Sequence, residues 1–155
     1  MKNKFVKNII KKFYETYKED AHRVVKIFGI KLRFKTPTLN PLEDICNIPH
    51  LYELLENGTI FPHPIGIVIH RRAIIGKNCT IYQNVTIGDG KYNNERQRYS
   101  PIIGDNVRIY ANAVVVGGIT VGNNSIIGAG AIVINDVPEN VVVAGNPARI
   151  IKKLQ

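Results

Sequence analysis

The chain has 155 residues, 45% of them hydrophobic, which is room for one domain with a modest appendage and enough apolar material for a core. Net charge is +9, but no recognition motif or aromatic-interleaved groove accompanies it, so nucleic acid is excluded as a partner. No run of about 18 apolar residues is present and the charged start lacks the apolar stretch of a secretion signal, so a cytoplasmic chain without a membrane span is expected.

The charge is concentrated at the start. Residues 1–35 hold eleven Lys or Arg against Glu15, Glu19 and Asp20, which gives that segment +8 and leaves the rest close to neutral. From Lys4 to Phe28, apolar residues recur at Phe5/Val6, Ile9/Ile10, Phe13/Tyr14, Tyr17, Ala21, Val24/Val25 and Phe28. That spacing predicts a basic amphipathic helix. Such a helix packs on its own domain, on a sister subunit, or on an anionic membrane surface at the inner face of the membrane. Ile30, Leu32 and Phe34 alternate with Lys31, Arg33 and Lys35, the pattern of a short half-buried strand. Pro37, Pro41 and Pro49 mark a connector, and Leu51 to Glu56 reads as a short helix stopped by Asn57-Gly58. A boundary is therefore expected at residue 57, with 1–57 as helix, strand and connector and 58–155 as a second unit.

The second unit repeats every six residues. Aliphatic openers stand at Ile75, Ile81 and Ile87, then at Ile103, Ile109, Val115, Val121, Ile127 and Val133. Four places after an opener stands a small or β-branched residue: Cys79, Val85, Val107, Ala113, Ile119, Ser125, Ala131 and Val137. Gly, Asn and Asp cluster between them, as a short strand followed by a tight turn requires. A fixed hexapeptide period predicts a mainly β fold, a parallel β-helix whose stacked coils share one apolar interior. Cys79 takes a small inward place, and with Cys46 as its only companion no disulfide framework is expected, in keeping with a reducing compartment. From Ile87 to Ile103 the step is sixteen, so Asp89 to Pro101 must leave the coils as a polar loop. Long excursions from a rigid repeat carry function more often than not.

Four histidines are available. His63 stands in a proline-bracketed turn where the coils begin; His70 takes the second place of a hexad and is its competitor; His22 and His50 lie in the helix and the connector. A zinc site of the γ-type carbonic anhydrase class needs three converging histidines, and none follows His70, so no metal is expected. Tyr82 and Tyr110 replace the usual small residue after an opener and are candidates for stacking on a ligand.

Three stretches carry a resemblance: Gly66 to Ile69 (Gly-Ile-Val-Ile), Ile81 to Gly88 (Ile-Tyr-Gln-Asn-Val-Thr-Ile-Gly), and Ala144 to Ile151 (Ala-Gly-Asn-Pro-Ala-Arg-Ile-Ile). Together they resemble the hexapeptide-repeat acyltransferases, nearest to the serine acetyltransferase branch, over about residues 58–153. The resemblance implies a left-handed parallel β-helix, an exception to the usual crossover hand, assembled as a homotrimer with acetyl-CoA along the seam between subunits. It implies His63 as catalytic base. Gly88, Ala111 and Ala129 would approach the cofactor's arm, and Arg149, Lys152 and Lys153 its phosphates. Asp89, Lys91 and Arg98 would belong to the loop that folds over the substrate.

Removing a proton from an attacking hydroxyl suits a neutral imidazole, and a backbone N–H of a neighbouring coil would meet the developing oxyanion. Asp44, Glu53 and Glu56 are the candidates to orient the His63 ring. Pro62 stands where the branch has an Asp, Ile48 near where it has another, and Tyr99-Ser100 where it has Arg-His. Only the short segment 1–57 precedes the repeat, and its stretch Phe28 to Lys31 (Phe-Gly-Ile-Lys) is similar to short O-acetyltransferases of surface-polysaccharide synthesis. A sugar hydroxyl is therefore the expected acceptor, with serine, or a non-catalytic trimeric scaffold, as alternatives.

Overall fold

The computed structural model describes residues 22–27, 30–35 and 46–155. Contacts divide the chain into two units, 1–44 and 45–155. In the first, β1 (His22–Ile27) pairs antiparallel with β2 (Ile30–Lys35), from His22↔Lys35 to Ile27↔Ile30. The strand expected from Ile30 is present, but His22–Ile27 is a strand and not the end of a helix. Val24, Val25 and Ile27 are β-branched and fit a pleated surface better than a helix, and pairing with β2 gives their backbone groups partners that apolar spacing alone could not foresee. The rest of the expected helix, and Thr36 to Ile45, lie outside the described residues.

The second unit is a left-handed parallel β-helix built on three faces. Face I stacks β3 (Val68–Ile69), β6 (Thr86–Gly88), β9 (Val114–Val116) and β12 (Ile132–Val133). Face II stacks β4 (Ile74–Ile75), β7 (Ile102–Ile103) and β10 (Thr120–Val121). Face III stacks β5 (Thr80–Ile81), β8 (Arg108–Ile109), β11 (Ile126–Ile127) and β13 (Val141–Ala144), with β14 (Arg149–Lys153) antiparallel at its end. The chain visits I, II and III in turn. Val68 pairs with Thr86 and Val114 with Ile132, so one coil takes three hexads, one for each face.

The expected inward positions are the core. Ile81, Ile87, Ile109, Val115, Val121 and Ile127 are fully buried, as are Cys79, Val85, Val107, Ala113, Ser125 and Ala131. Each Ile or Val so buried contributes about 1.5–3 kcal/mol relative to exposure. Ser125 is tolerated inside because its hydroxyl donates to the Pro138 carbonyl at 2.7 Å. The corners turn through left-handed Asn residues, at Asn78, Asn84, Asn106, Asn112, Asn124 and Asn140. Asn populates that region because its short amide makes local hydrogen bonds. Here those amides also bond coil to coil, Asn106 to Asn124 and Asn124 to Asn140 at 3.1 Å each.

The coils begin earlier than the expected boundary at residue 57. Asn47 bridges Val68 on face I and Ile60 bridges Thr80 on face III. Between them α1 (Leu51–Glu56), the short helix expected there, occupies the place of a face II strand. Its Leu54 joins Cys46 and Ile48 in the core cluster, so the segment closes the first end of the coils. Among the described residues no helix is long and apolar enough to cross a membrane.

Candidate active site

The candidate residues gather on two edges of face I. His63 lies between Ile60 of face III and Val68 of face I, on edge III–I, and its side chain is exposed. Because each coil passes the three faces once, the same corner recurs at Tyr82, then beyond the loop at Tyr110, Gly128 and Gly145. The Tyr82 and Tyr110 rings stack at 5.0 Å and 16°, and the His63 ring meets Tyr82 at 6.3 Å, tilted by 51°. Below the tyrosines the corner is stripped to small residues. The Gly130 N–H donates to the Ala111 carbonyl at 2.9 Å, so the turns that hold Ala111 and Ala129 are stacked on this edge. The Ile132 N–H donates to the Gly145 carbonyl at 3.0 Å, which brings the last turn to the same edge. Arg149, Lys152 and Lys153 follow it on β14, all exposed.

Edge I–II carries the loop. It leaves after Gly88 and returns at Ser100-Pro101, and its two ends are tied together. The buried Ser100 hydroxyl donates to Asp89 Oδ1, and Arg72 Nη2 donates to Asp89 Oδ2 at 2.5 Å. His70 Nδ1 stands 3.1 Å from Asp89 Oδ1 and 3.2 Å from Ser100 Oγ. Arg98 closes the cluster: Nε donates to the Ser100 carbonyl at 2.6 Å and Nη2 to the Arg72 carbonyl at 2.8 Å. Burial pushes the Asp89 carboxyl up, but hydrogen bonds from Ser100 and Arg72, with the nearby charges of His70 and Arg72, outweigh it and hold the group below its ordinary range.

Further out, Asn93 and Arg98 bridge antiparallel, and Arg96 grips Asp136 through two contacts at 2.7 and 3.3 Å. The loop lies flat on the third coil, where the Gly118 N–H donates to the Lys91 carbonyl at 3.0 Å. Lys91 itself is exposed.

The residues expected at the site thus fall into two groups within one protomer. His63, Ala111, Ala129 and Arg149 share edge III–I, whereas Gly88, Asp89, Lys91 and Arg98 share edge I–II; Lys152 and Lys153, opposite Val142 and Val141 on the antiparallel β14, run back across face III away from the His63 edge. Gly88 therefore does not stand beside Ala111 and Ala129. Neither Glu53 nor Glu56 orients His63: Glu53 lies 4.0 Å from His50 and Glu56 is exposed, while Asp44 lies outside the described residues. Among the described residues the His63 ring has no hydrogen-bond or ion-pair partner other than its contact with Tyr82. The pairing of His70 with Asp89 was missed by motif comparison, although the coil length contains it: three hexads after His70 comes Gly88, so Asp89 must arrive beside that turn. Among the described residues no group of three His, Cys, Asp or Glu gathers as a metal site would require.

Residues 100–135 match the family described as bacterial transferase hexapeptide (six repeats). A serine acetyltransferase of Synechococcus elongatus is 43% identical over 98 residues, 63% of this chain and 39% of that protein. Among solved structures, the Neisseria gonorrhoeae serine acetyltransferase in complex with serine superposes with a TM-score of 0.56 at 38% identity, covering 61% of this chain and 38% of that one. A Brucella abortus serine acetyltransferase in complex with coenzyme A superposes at 0.55 and 35% identity, covering 63% and 38%. The chain spans about two-fifths of the length of the relatives it matches. These likenesses overturn the expectation of a sugar acceptor in polysaccharide synthesis. That expectation rested on groups missing at positions 48, 62 and 99–100, on the short segment 1–57 and on its stretch Phe28 to Lys31. Read in space, Arg72 and Arg98 stand at the loop base beside Ser100, so cationic groups are present there from other positions.

Proposed function

We propose that this chain, which carries the hexapeptide repeat of bacterial transferases over residues 100–135, moves an acetyl group from acetyl-CoA to the hydroxyl of serine. The observation that carries the reading is the edge of His63. The imidazole stands exposed, the coils beneath its two tyrosines narrow to Gly128 and Ala129, and the edge ends on Arg149, with Lys152 and Lys153 further along β14 on face III. From His63 to the last turn is four coil steps, roughly 19 Å at the usual strand spacing. The extended pantetheine arm, a dozen bonds from sulfur to phosphate, spans roughly 15 Å. A thioester held at His63 would therefore set its phosphates near Arg149, at the start of the basic tail, where charge-assisted hydrogen bonds form.

His63 is the base: it takes the serine hydroxyl proton as the oxygen attacks the thioester carbonyl, and transfer is direct, with no acyl-enzyme. A backbone N–H of an adjoining coil receives the oxyanion. Arg72 and Arg98 supply positive charge for the serine carboxylate. Assembly as a homotrimer belongs to the same proposal. The outward residues of face I, Val68, Thr86, Val114 and Ile132, are uncharged, and Gln83 Oε1 on edge III–I is buried without a hydrogen-bond partner among the described residues. Burying face I in a ring of three sets the His63 edge of one protomer against the loop edge of the next. A cytoplasmic setting fits the two free buried cysteines.

The test is thiol release from acetyl-CoA with and without serine. Release that depends on serine and is lost in His63→Ala, with trimer mass and Tm unchanged, is the expected result. Full activity in that variant removes His63 from the chemistry. A calorimetric titration that finds no affinity for acetyl-CoA would instead favour a non-catalytic scaffold.

A further inference from the structure

Resting on that reaction, we propose that His70, held by Asp89, is a second proton-transfer group, and that it acts across the seam on the thioester bound beside the neighbouring protomer's His63. The two imidazoles differ in kind. His63 has no carboxylate beside it among the described residues, whereas His70 turns Nδ1 toward Asp89 Oδ1 at 3.1 Å and Ser100 Oγ at 3.2 Å, with the Arg72 backbone N–H 3.3 Å from the same nitrogen. The carboxylate cannot swing away, because Ser100 and Arg72 both donate to it. With Nδ1 so engaged, Nε2 has no partner among the described residues, and the side chain is one-third exposed. An imidazole tied to an acid by one nitrogen and open at the other is arranged to pass a proton.

Place matters as much as pairing. His63 and His70 stand at opposite ends of β3, on the two edges of one uncharged face. Within a protomer they cannot converge, since face I separates them. In a cyclic assembly that buries face I, each edge meets the other kind of edge on the next subunit.

The step balances as follows. His63 takes the hydroxyl proton while the serine oxygen forms its bond to the carbonyl carbon. The carbon–sulfur bond then breaks with its electron pair left on sulfur, and His70, entering the step as an imidazolium with Nδ1–H directed at Asp89, gives its Nε2 proton to that sulfur and is left neutral, so that CoA departs as the free thiol. Solvent carries the proton held by His63 back to His70. The charged groups facing His70 are Asp89, from the end of β6, and Arg72, from its own turn; the Arg98 guanidinium is engaged with the Ser100 and Arg72 carbonyls beneath them.

The experiment compares wild type, His70→Asn and Asp89→Asn by thiol release across pH, with trimer mass confirmed by light scattering. His70→Asn should lower kcat by about 100-fold and abolish the alkaline limb of the pH profile. Asp89→Asn, which can keep the hydrogen bond to Ser100, should move that limb to lower pH. His63→Ala and His70→Asn subunits are then refolded together. Each mixed trimer has one seam of three with both imidazoles intact, so random mixing should restore about a quarter of wild-type activity.

Unchanged kcat in His70→Asn overturns the proposal. So does a raised KM with both limbs kept, which would make His70 a latch for the loop. Absence of recovery on mixing overturns the action across the seam. If wild type itself releases no thiol in the presence of serine, the acetyltransferase reading falls and this one with it, an outcome distinct from the other three.

Discussion

Substituting Gly118 by Ala should detach the loop from the coils without touching the core. Gly118 lies on the third coil directly under the loop, and its N–H donates to the Lys91 carbonyl at 3.0 Å. An added Cβ would stand 2.7 Å from Asn93 Cβ and collide with the Arg98 carbonyl oxygen, which is backbone and cannot rotate aside. The loop must lift. That movement breaks the Gly118-to-Lys91 hydrogen bond, at about 0.5–1.5 kcal/mol, and weakens the two hydrogen bonds of the Asn93–Arg98 bridge. A loss of about 1–2 kcal/mol is about 5- to 30-fold in an equilibrium constant, to be read as a raised KM for serine with kcat less affected. The coils keep their inward residues, so Tm should fall by less than about 4 °C. Thiol release gives the KM, and trypsin, which can cut after Lys91, Arg96 and Arg98 only when the loop is free, gives an independent measure. An unchanged KM together with unchanged resistance to trypsin would refute the view that the loop is seated by contact with Gly118; a large drop in Tm would show that the coils were damaged instead.

Other outcomes follow from the same structure. Asp89 is held below its ordinary range, so its contribution to anchoring the loop is fully present above the unfolded carboxyl pKa of about 3.9 and is lost as pH falls through the lower folded value. Hydrogen exchange at residues 89–101 should therefore accelerate only below about pH 4; acceleration near neutrality would contradict this. Burial pushes the Cys79 thiol up to about 11, so neither it nor buried Cys46 should react with a thiol reagent until the protein unfolds. Rapid modification of native protein would count against the packing. Ile109→Ala empties a fully buried position and should destabilise by about 2–5 kcal/mol in denaturant titration, a loss under about 1 kcal/mol being inconsistent with a packed interior. Removing residues 152–155 should raise the KM for acetyl-CoA more than that for serine, and the reverse pattern would reassign the tail.

The coils were legible because the physical constraint on them is periodic. Each opener from Ile81 to Val133 had to face inward once the turn length was six, and residues as different as Cys79, Ala113 and Ser125 could be assigned to the interior by position alone. The loop was legible for the same reason, as a break in that count. The segment from His22 to Ile27 was not, because pairs such as Val24-Val25 satisfy a helical stripe as well as a strand, and only the pairing with Ile30–Lys35 decides between them. The start of the coils was also missed: Asn47 and Ile60 are separated by a helix instead of a hexad, and no period reveals that. At the candidate site, His63 was singled out by its turn and by the resemblance. The partnership of His70 with Asp89 needed the coil length to be used as a ruler between non-adjacent turns, and the cations at the loop base had to be sought in space because two of them, Arg72 and Arg98, come from segments 26 residues apart.

The excursion between Gly88 and Ile102 departs and re-enters at one corner, and β7 still pairs with β4 on one side and β10 on the other without any slip. The scaffold therefore does not register how many residues are spent outside it. Segments of other lengths and chemistries could be spliced at that corner while the imidazole on the far edge stays put, which, on the proposed function, would make acceptor choice an exchangeable cassette and acetyl donation the fixed chassis.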